Sequence, residues 1–337
     1  TGDLTRTYQT SGGFGLIFDD WGRSFSTPNV NHIQQRIFPL RYLERPEGLR
    51  NPILIYAFDG WADASEVATW TARYLVRQWK ATKFAEIDSE DFYVFTEQRP
   101  KMRWGEDRKR FVEWPANEFY YHRVPVLDRD FIILAGSEPQ LRWKSFAQCV
   151  IQVISELQVS VVLALGGVLA AVPHTQPPRL SGTATDELFR ERLHPLEVNS
   201  SRYEGPTGIL GVLNTTLDRK GVPTASLWGS VPHYLAARPN MRVAQAMLRK
   251  LDQMLDVRID MGRVDRQAVL FDGQVSQLVA GNAEVQAYVR KLEEEHGRTG
   301  ETAPEPPGEL PSGEAVIRDL EDFFRERRGS EGGTDRG

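Results

Sequence analysis

The sequence predicts an α/β protein: a mostly parallel sheet covered by helices on both faces, continued on its C-terminal side by a helical hairpin. Three observations lead there. Between residues 38 and 259, short apolar runs of strand character alternate with amphipathic helical stretches, as in strand–helix–strand units. Beyond Asp260 strand signals stop, while residues 264–296 keep apolar positions three and four apart. The 337 residues, 40% of them hydrophobic, suffice to bury one large core.

Residues 1–36 mix Gly, Ser, Asn and Asp around a GFGLIF island, without the basic start and apolar core of a signal peptide, and are expected to be a poorly ordered leader. Strands are expected at 53–58, 92–95, 131–135, 161–165 and 225–228. After the first, Ala64, Val67, Ala68, Thr71 and Leu75 share a helical face, and Asp63 with Glu66 has the spacing of a capping box. A second helix places Trp143, Phe146, Ala147, Val150, Ile154 and Leu157 on one face, and Pro239 and Asn240 introduce a third through Met247, Leu248, Leu251 and Leu255. The hairpin carries Val264, Ala268, Phe271, Val275 and Leu278, breaks near Gly281, and resumes with Val285, Val289 and Leu292. The expected organisation is thus a core domain at 37–262, a helical extension at 263–297, a linker rich in Pro, Gly and Glu at 298–313, a short amphipathic helix at 314–328 and a tail at 329–337.

Composition narrows the function. With 41 basic and 46 acidic residues, net −5, the chain has no excess positive field for a nucleic-acid backbone. Cys149 is the single cysteine, which excludes an intrachain disulfide framework and a cysteine-rich zinc site and fits a reducing, cytoplasmic setting. The longest apolar run, 159–172, is interrupted by Gly166 and Gly167 and falls short of the roughly 18–20 residues that span a bilayer, so it reads as a buried strand.

Five clusters punctuate the alternation: DGWADA at 59–64, GSEPQLRW at 136–143, GGVLAAVPHTQPP at 166–178, YEGPTG at 203–208 and LWGSVPHY at 227–234. Each adjoins a strand end, and in open α/β sheets ligands bind outside the carboxyl ends of the strands. Asp59, Trp61, Asp63, Glu138, His174, Thr175, Glu204 and His233 are therefore candidates to line one shared pocket. In their order these clusters resemble the proteasome assembly chaperone type-two (PAC2) family, in its bacterial, actinobacterial-like branch. The matching turns are Gly60 to Ala64, Gly136 to Pro139, Pro173 His174 Thr175, Tyr203 to Gly208, and Pro232 His233 Tyr234. The resemblance covers residues 38–286 and implies a three-layer sandwich similar to the nucleoside phosphorylase and hydrolase group, in self-associating proteins that help proteasome rings assemble. Ala62 stands where the family often has Asn, and Gln176 where it often has Arg. Archaeal relatives can carry a C-terminal hydrophobic-tyrosine motif for docking; this sequence closes on Gly333 to Gly337 without one.

No catalytic constellation is assigned. His174 and His233 each follow a proline, and fixing their turns by hydrogen bonds is a stronger reading than general base or metal ligand. Asp63 reads as a helix cap and Trp61 as a packed side chain; gripping an amine or hydroxyl is the other reading. Gly166 and Gly167 lead into Val Leu Ala Ala rather than a third glycine, and YEGPTG lacks the Lys and Ser or Thr of a phosphate loop. Ser137 lacks a nucleophile elbow. No metal or cofactor is expected. The expected function is a noncatalytic assembly chaperone or interaction scaffold with protein partners, proteasome subunits among them, and without nucleic-acid or membrane partners. The alternative is an enzyme, a hydrolase, transferase or carboxylate-amine ligase-like protein, holding a nucleoside or amine ligand in the strand-end pocket. The long stripe of the hairpin predicts a homo-oligomer, of cyclic order. In 314–328, Val316, Ile317, Leu320, Phe323 and Phe324 form a stripe expected to dock helix-in-groove on the chain's own body, a neighbouring subunit or a partner.

Overall fold

A computed structural model of the chain describes residues 13–18, 24–28, 34–36, 39–105, 108–185, 187–193, 205–235 and 238–298. Glu204, the linker at 298–313 beyond its first residue, the helix expected at 314–328 and the tail lie outside the described residues.

Within the leader, β1 (Gly13–Phe18), β2 (Ser24–Pro28) and β3 (Gln34–Arg36) form a small antiparallel sheet. The main sheet is built from β4 (Leu40–Tyr42), β5 (Ile53–Asp59), β6 (Thr82–Ile87), β9 (Asn117–His122), β10 (Phe131–Ser137), β11 (Val161–Ala170), β12 (Leu180–Ala184) and β13 (Thr224–Pro232), with β7 (Lys101–Trp104) and β8 (Arg110–Glu113) forming a separate hairpin. The helices are α1 (Val67–Gln78), α2 (Trp143–Glu156), α3 (Glu187–Leu193), α4 (Ile209–Arg219), α5 (Met241–Leu255), α6 (Gly262–Ala280) and α7 (Ala283–Arg298).

The strand order is β12-β13-β11-β5-β10-β9-β6-β4. The four central strands β13, β11, β5 and β10 run parallel, and every outer pair is antiparallel. Parallel strands are covered on both faces, which is why the central four are continuous apolar runs. In β5, Ile53, Ile55 and Ala57 face the layer containing α1, α3, α5, α6 and α7, while Leu54, Tyr56 and Phe58 face that of α2 and α4. Phe131 and Ile133 of β10, with Leu163 and Leu165 of β11, join the first layer; Ile132, Leu134, Val162 and Ala164 join the second. The architecture is the expected three-layer α/β sandwich.

Three local expectations are corrected. Residues 92–95 form no strand: Gln140 N and Leu141 N donate to Phe92 O at 2.9 and 3.0 Å, and the Phe92 ring meets Phe146 edge-on at 5.4 Å. The apolar run fills the α2 layer from a loop, and β6 and β9 extend the sheet instead. Asp63 and Glu66 make no capping box, because Ser65 and Glu66 both take positive φ (49° and 55°) and a single 3-10 turn precedes α1. The Asp63 carboxylate reaches further, accepting from Ala68 N at 2.7 Å. Lastly, the apolar stripe of α6 and α7 is not left over for a second subunit. Val264, Phe271, Val275, Val285, Val289 and Leu292 are buried in the chain's own core, since α6 packs on α5 and α7 on α6.

Candidate functional site

The carboxyl ends of β5, β10, β11 and β13 carry the predicted turns. Two glycines let the first of them close against its neighbours. Gly60 sits at φ 128°, and a Cβ there would come within 3.0 Å of Glu138. A Cβ at Gly167 would meet Val67 Cγ2 at 2.5 Å, so the bare strand admits the turn before α1, where Gly167 N donates to Ala62 O at 2.8 Å. The glycine pair in the middle of β11 is thus a packing device.

Glu138 is the centre of the first group of candidates. Its Oε1 accepts from Ile209 N at 2.7 Å, satisfying an N–H of the first turn of α4, and its Oε2 accepts from Trp61 N at 3.2 Å. Its own N–H donates to Asp59 O at 2.9 Å. A carboxylate at a helix N-terminus complements the orphan amides and the helix dipole. Asp59 hydrogen-bonds Ser137, and burial raises its carboxyl above the ordinary range. Asp63 is buried, accepts from the Ala68 and Thr69 backbone amides and from the Thr69 hydroxyl, and has its carboxyl pushed up to about 6 by burial against those hydrogen bonds. Trp61 alone in this group projects outward, 64% exposed.

The second group lies where β11 and β13 meet α7. The Tyr234 hydroxyl accepts from His174 N at 2.7 Å and lies 2.8 Å from His174 Nδ1. His233 Nδ1 lies 3.1 Å from Ala170 O, and its Nε2 lies 3.0 Å from the Tyr288 hydroxyl. The Thr175 hydroxyl donates to Glu293. Burial holds His174 below the usual histidine range. Sequence reasoning missed Tyr234, Tyr288 and Glu293 as members; the tyrosine after the second Pro-His pair and the polar flank of α7 were the available signals.

The structure therefore separates the candidates instead of lining one pocket with all of them. A narrow cleft that includes His174, Arg179, Asn240, Arg242 and Asp272 holds about 20 Å³, room for about one water, and excludes Asp59, Trp61, Asp63 and Glu138.

The family model of the PAC2 family matches residues 57–279 of this chain. The chain belongs to the PAC2 family. A PAC2 family protein from Streptomyces avermitilis MA is 36% identical, with a TM-score of 0.64 and coverage of 71% of this chain and 99% of that one. A proteasome-assembly chaperone homologue from Mycobacterium tuberculosis is 34% identical, with a TM-score of 0.63 and coverage of 70% and 99%. Pyrococcus furiosus PbaB, an archaeal proteasome activator, shares the fold at 24% identity and TM-score 0.59, covering 71% of this chain and 97% of its own. Comparison with curated proteins gives no match.

Among the described residues of this PAC2 chain, no group of three His, Cys, Asp or Glu is placed to hold a metal, and no helix is long and apolar enough to cross a membrane. Cys149 is buried, its thiol pushed up to about 11 by desolvation, far from a nucleophile's range.

The raised Asp63 carboxyl gives a pH prediction. Its folded value, about 6, lies above its ordinary 3.8. Between the two the folded chain holds a proton that the unfolded chain has released, so this group opposes folding above pH 6 and ceases to do so as pH falls toward 4. Asp63→Asn keeps an acceptor for Ala68 N and removes the titration. In thermal melts, the stability of wild type relative to Asp63→Asn is expected to rise by about 1–3 kcal/mol between pH 7.5 and 4.5. A constant difference across that range contradicts the assignment.

Proposed function

We propose that this PAC2 family chain is a noncatalytic assembly chaperone that binds protein subunits, those of proteasome rings first, through the carboxyl-end surface of its central sheet. The observation that carries the reading is how the described candidates are used. Asp59, Asp63, Glu138, His174, Thr175 and His233 are each hydrogen-bonded within the fold, while Trp61 stands exposed on the turn that Asp59, Asp63 and Glu138 hold. A rigid, largely self-satisfied surface with one projecting indole suits protein contact, where tryptophan is a preferred anchor. The kinship with a proteasome-assembly chaperone homologue supports the choice of client. The cleft beside His174 is far below the several hundred Å³ of typical small-molecule sites, which weighs against a nucleoside or amine ligand at that place.

The test mixes the purified chain with purified proteasome α and β subunits and follows ring formation by native mass spectrometry. Wild type is expected to bind one subunit type and to speed assembly. Trp61→Ala is expected to weaken that binding at least tenfold, about 1.4 kcal/mol or more, with little change in melting temperature. No association at tens of micromolar, or turnover of any nucleoside or amine, overturns the proposal.

A further inference from the structure

The β7–β8 hairpin stands apart from the rest of the fold. Its two strands pair with each other and with no other strand among the described residues, and all eight of their residues are exposed. Its base is anchored through Trp114, which packs edge-on against Phe95. A two-stranded ribbon is marginal in water and gains independent stability from further strands. Each outer edge offers unpaired amides and carbonyls as a template for one.

The ladder fixes which groups face outward. Gly105 N donates to Lys109 O at 2.8 Å, and the register sets Trp104 across from Arg110 and Met102 across from Val112. Hydrogen-bonded and non-hydrogen-bonded pairs alternate along an antiparallel ladder. Counting from the bonded Gly105 and Lys109, the next bonded pairs are Arg103 with Phe111 and Lys101 with Glu113. The N–H and C=O groups of Arg110 and Val112 therefore point away from β7, and those of Met102 and Trp104 away from β8.

Charge tells the two edges apart. When a strand pairs with its own copy about a two-fold axis, one residue lies on the axis and faces itself, and its neighbours face each other reciprocally. The edge strand β7 reads Lys-Met-Arg-Trp. Centred on Met102, it sets Lys101 against Arg103; centred on Arg103, it sets arginine against arginine. Both registers oppose like charges, which guards that edge. The edge strand β8 reads Arg-Phe-Val-Glu and has no net charge. Centred on Phe111, it sets Phe111 against Phe111, Arg110 against Val112, and Lys109 against Glu113, so an aromatic pair is flanked on both sides by opposite charges. In that register the outward groups of Arg110 and Val112 meet those of Val112 and Arg110 and exchange hydrogen bonds. Centred on Val112, it would set Phe111 against Glu113 and Lys109 against Pro115, a poorer match. Phe111 and Val112 are 50% and 42% exposed in the single chain, which leaves them apolar area to bury.

We infer that two copies of the chain pair edge to edge through β8, antiparallel and two-fold about Phe111, so that their hairpins join into one four-stranded sheet with β7 at either rim. The Glu113 carboxylate, which meets Arg103 at 3.0 Å within its own chain, takes Lys109 of the second copy as a further cation. The inference is independent of the client proposed above, because it concerns a different surface.

Sedimentation of the full chain and a cysteine crosslink test it. Wild type is expected to be dimeric at tens of micromolar. Val112→Pro removes an N–H that β7 does not use, so the hairpin is kept while the dimer is expected to weaken at least tenfold. Phe111→Cys puts a thiol on the axis, where a non-hydrogen-bonded pair brings Cα atoms to about 4.5 Å, within disulfide range. Cys149, the chain's own cysteine, is buried and does not compete. In a glutathione redox buffer, Phe111→Cys is expected to form a covalent dimer, whereas Arg103→Cys, also exposed but on β7, is expected not to. A monomeric wild type at that concentration overturns the inference. So does a dimer that Val112→Pro leaves intact, a Phe111→Cys chain that fails to crosslink, or equal crosslinking from the two cysteines.

Discussion

Glu138→Ala is expected to lower the melting temperature by roughly 5–10 °C, corresponding to about 3 kcal/mol. Two backbone amides lose their acceptor at once: Ile209 N in the first turn of α4 and Trp61 N in the turn after β5. Hydrogen bonds to a charged group contribute about 1.5–3 kcal/mol each, and the half-buried position of Glu138 places each of the two near the lower end of that range. Glu138→Gln retains one carbonyl oxygen for Ile209 but turns an amide NH2 toward Trp61 N–H, so about half the loss is expected. Full stability of Glu138→Gln beside a destabilised Glu138→Ala would show that the side chain acts by packing alone.

Gly136→Ala is the second large effect. The added methyl would lie 1.9 Å from Asn117 Oδ1 and 2.7 Å from Ala116 O, both on the neighbouring chain segment leading into β9. Asn117 has no exposure and donates through Nδ2 to the Tyr93 hydroxyl, which in turn donates to Ser137 O at 2.6 Å. The substitution thus displaces a buried hydrogen-bonded chain supporting the turn that carries Glu138. Overpacking of this kind costs about 3 kcal/mol or more when backbone has to move. Adding Asn117→Ala removes the nearer clash but not the one with Ala116 O, so the double variant is expected to recover part of the stability and not all. Full recovery, or a single variant as stable as wild type, contradicts this account.

The parts of the fold legible in the sequence are those where burial is two-sided or periodicity is long. The four parallel strands are almost wholly apolar, and α1, α2, α5 and the α6–α7 hairpin have clear stripes. The outer strands are harder, because one side or end meets water: β6 reads TKFAEI and β12 reads LSGTA, too polar to stand out. The helix α4 carries Gly211 and two adjacent threonines, poor helix formers that its tertiary setting overrides, and Thr216 bonds back to Val212 O. The apolar run at Phe92 misleads for the opposite reason, since its aromatics fill a core from a turn. The strand-end location of the candidates was legible. Their division into two groups was not, because it depends on contacts such as Glu138 to Ile209, 71 residues apart, and His233 to Tyr288, 55 apart.

The mooring of α7 has a mechanical consequence. Tyr288 and Glu293 tie this last described helix to His233 and Thr175, beside the carboxyl ends of β13 and β11, and Val285, Val289 and Leu292 seat it in the core. A load applied to the polypeptide after Arg298 therefore enters the body near the same rim that bears the Pro-His turns. It must shear an apolar seam and two polar ties together before α7 can peel away. Whatever grips the chain on that side pulls on the strand-end surface itself, and tension there becomes a way to distort it from a distance.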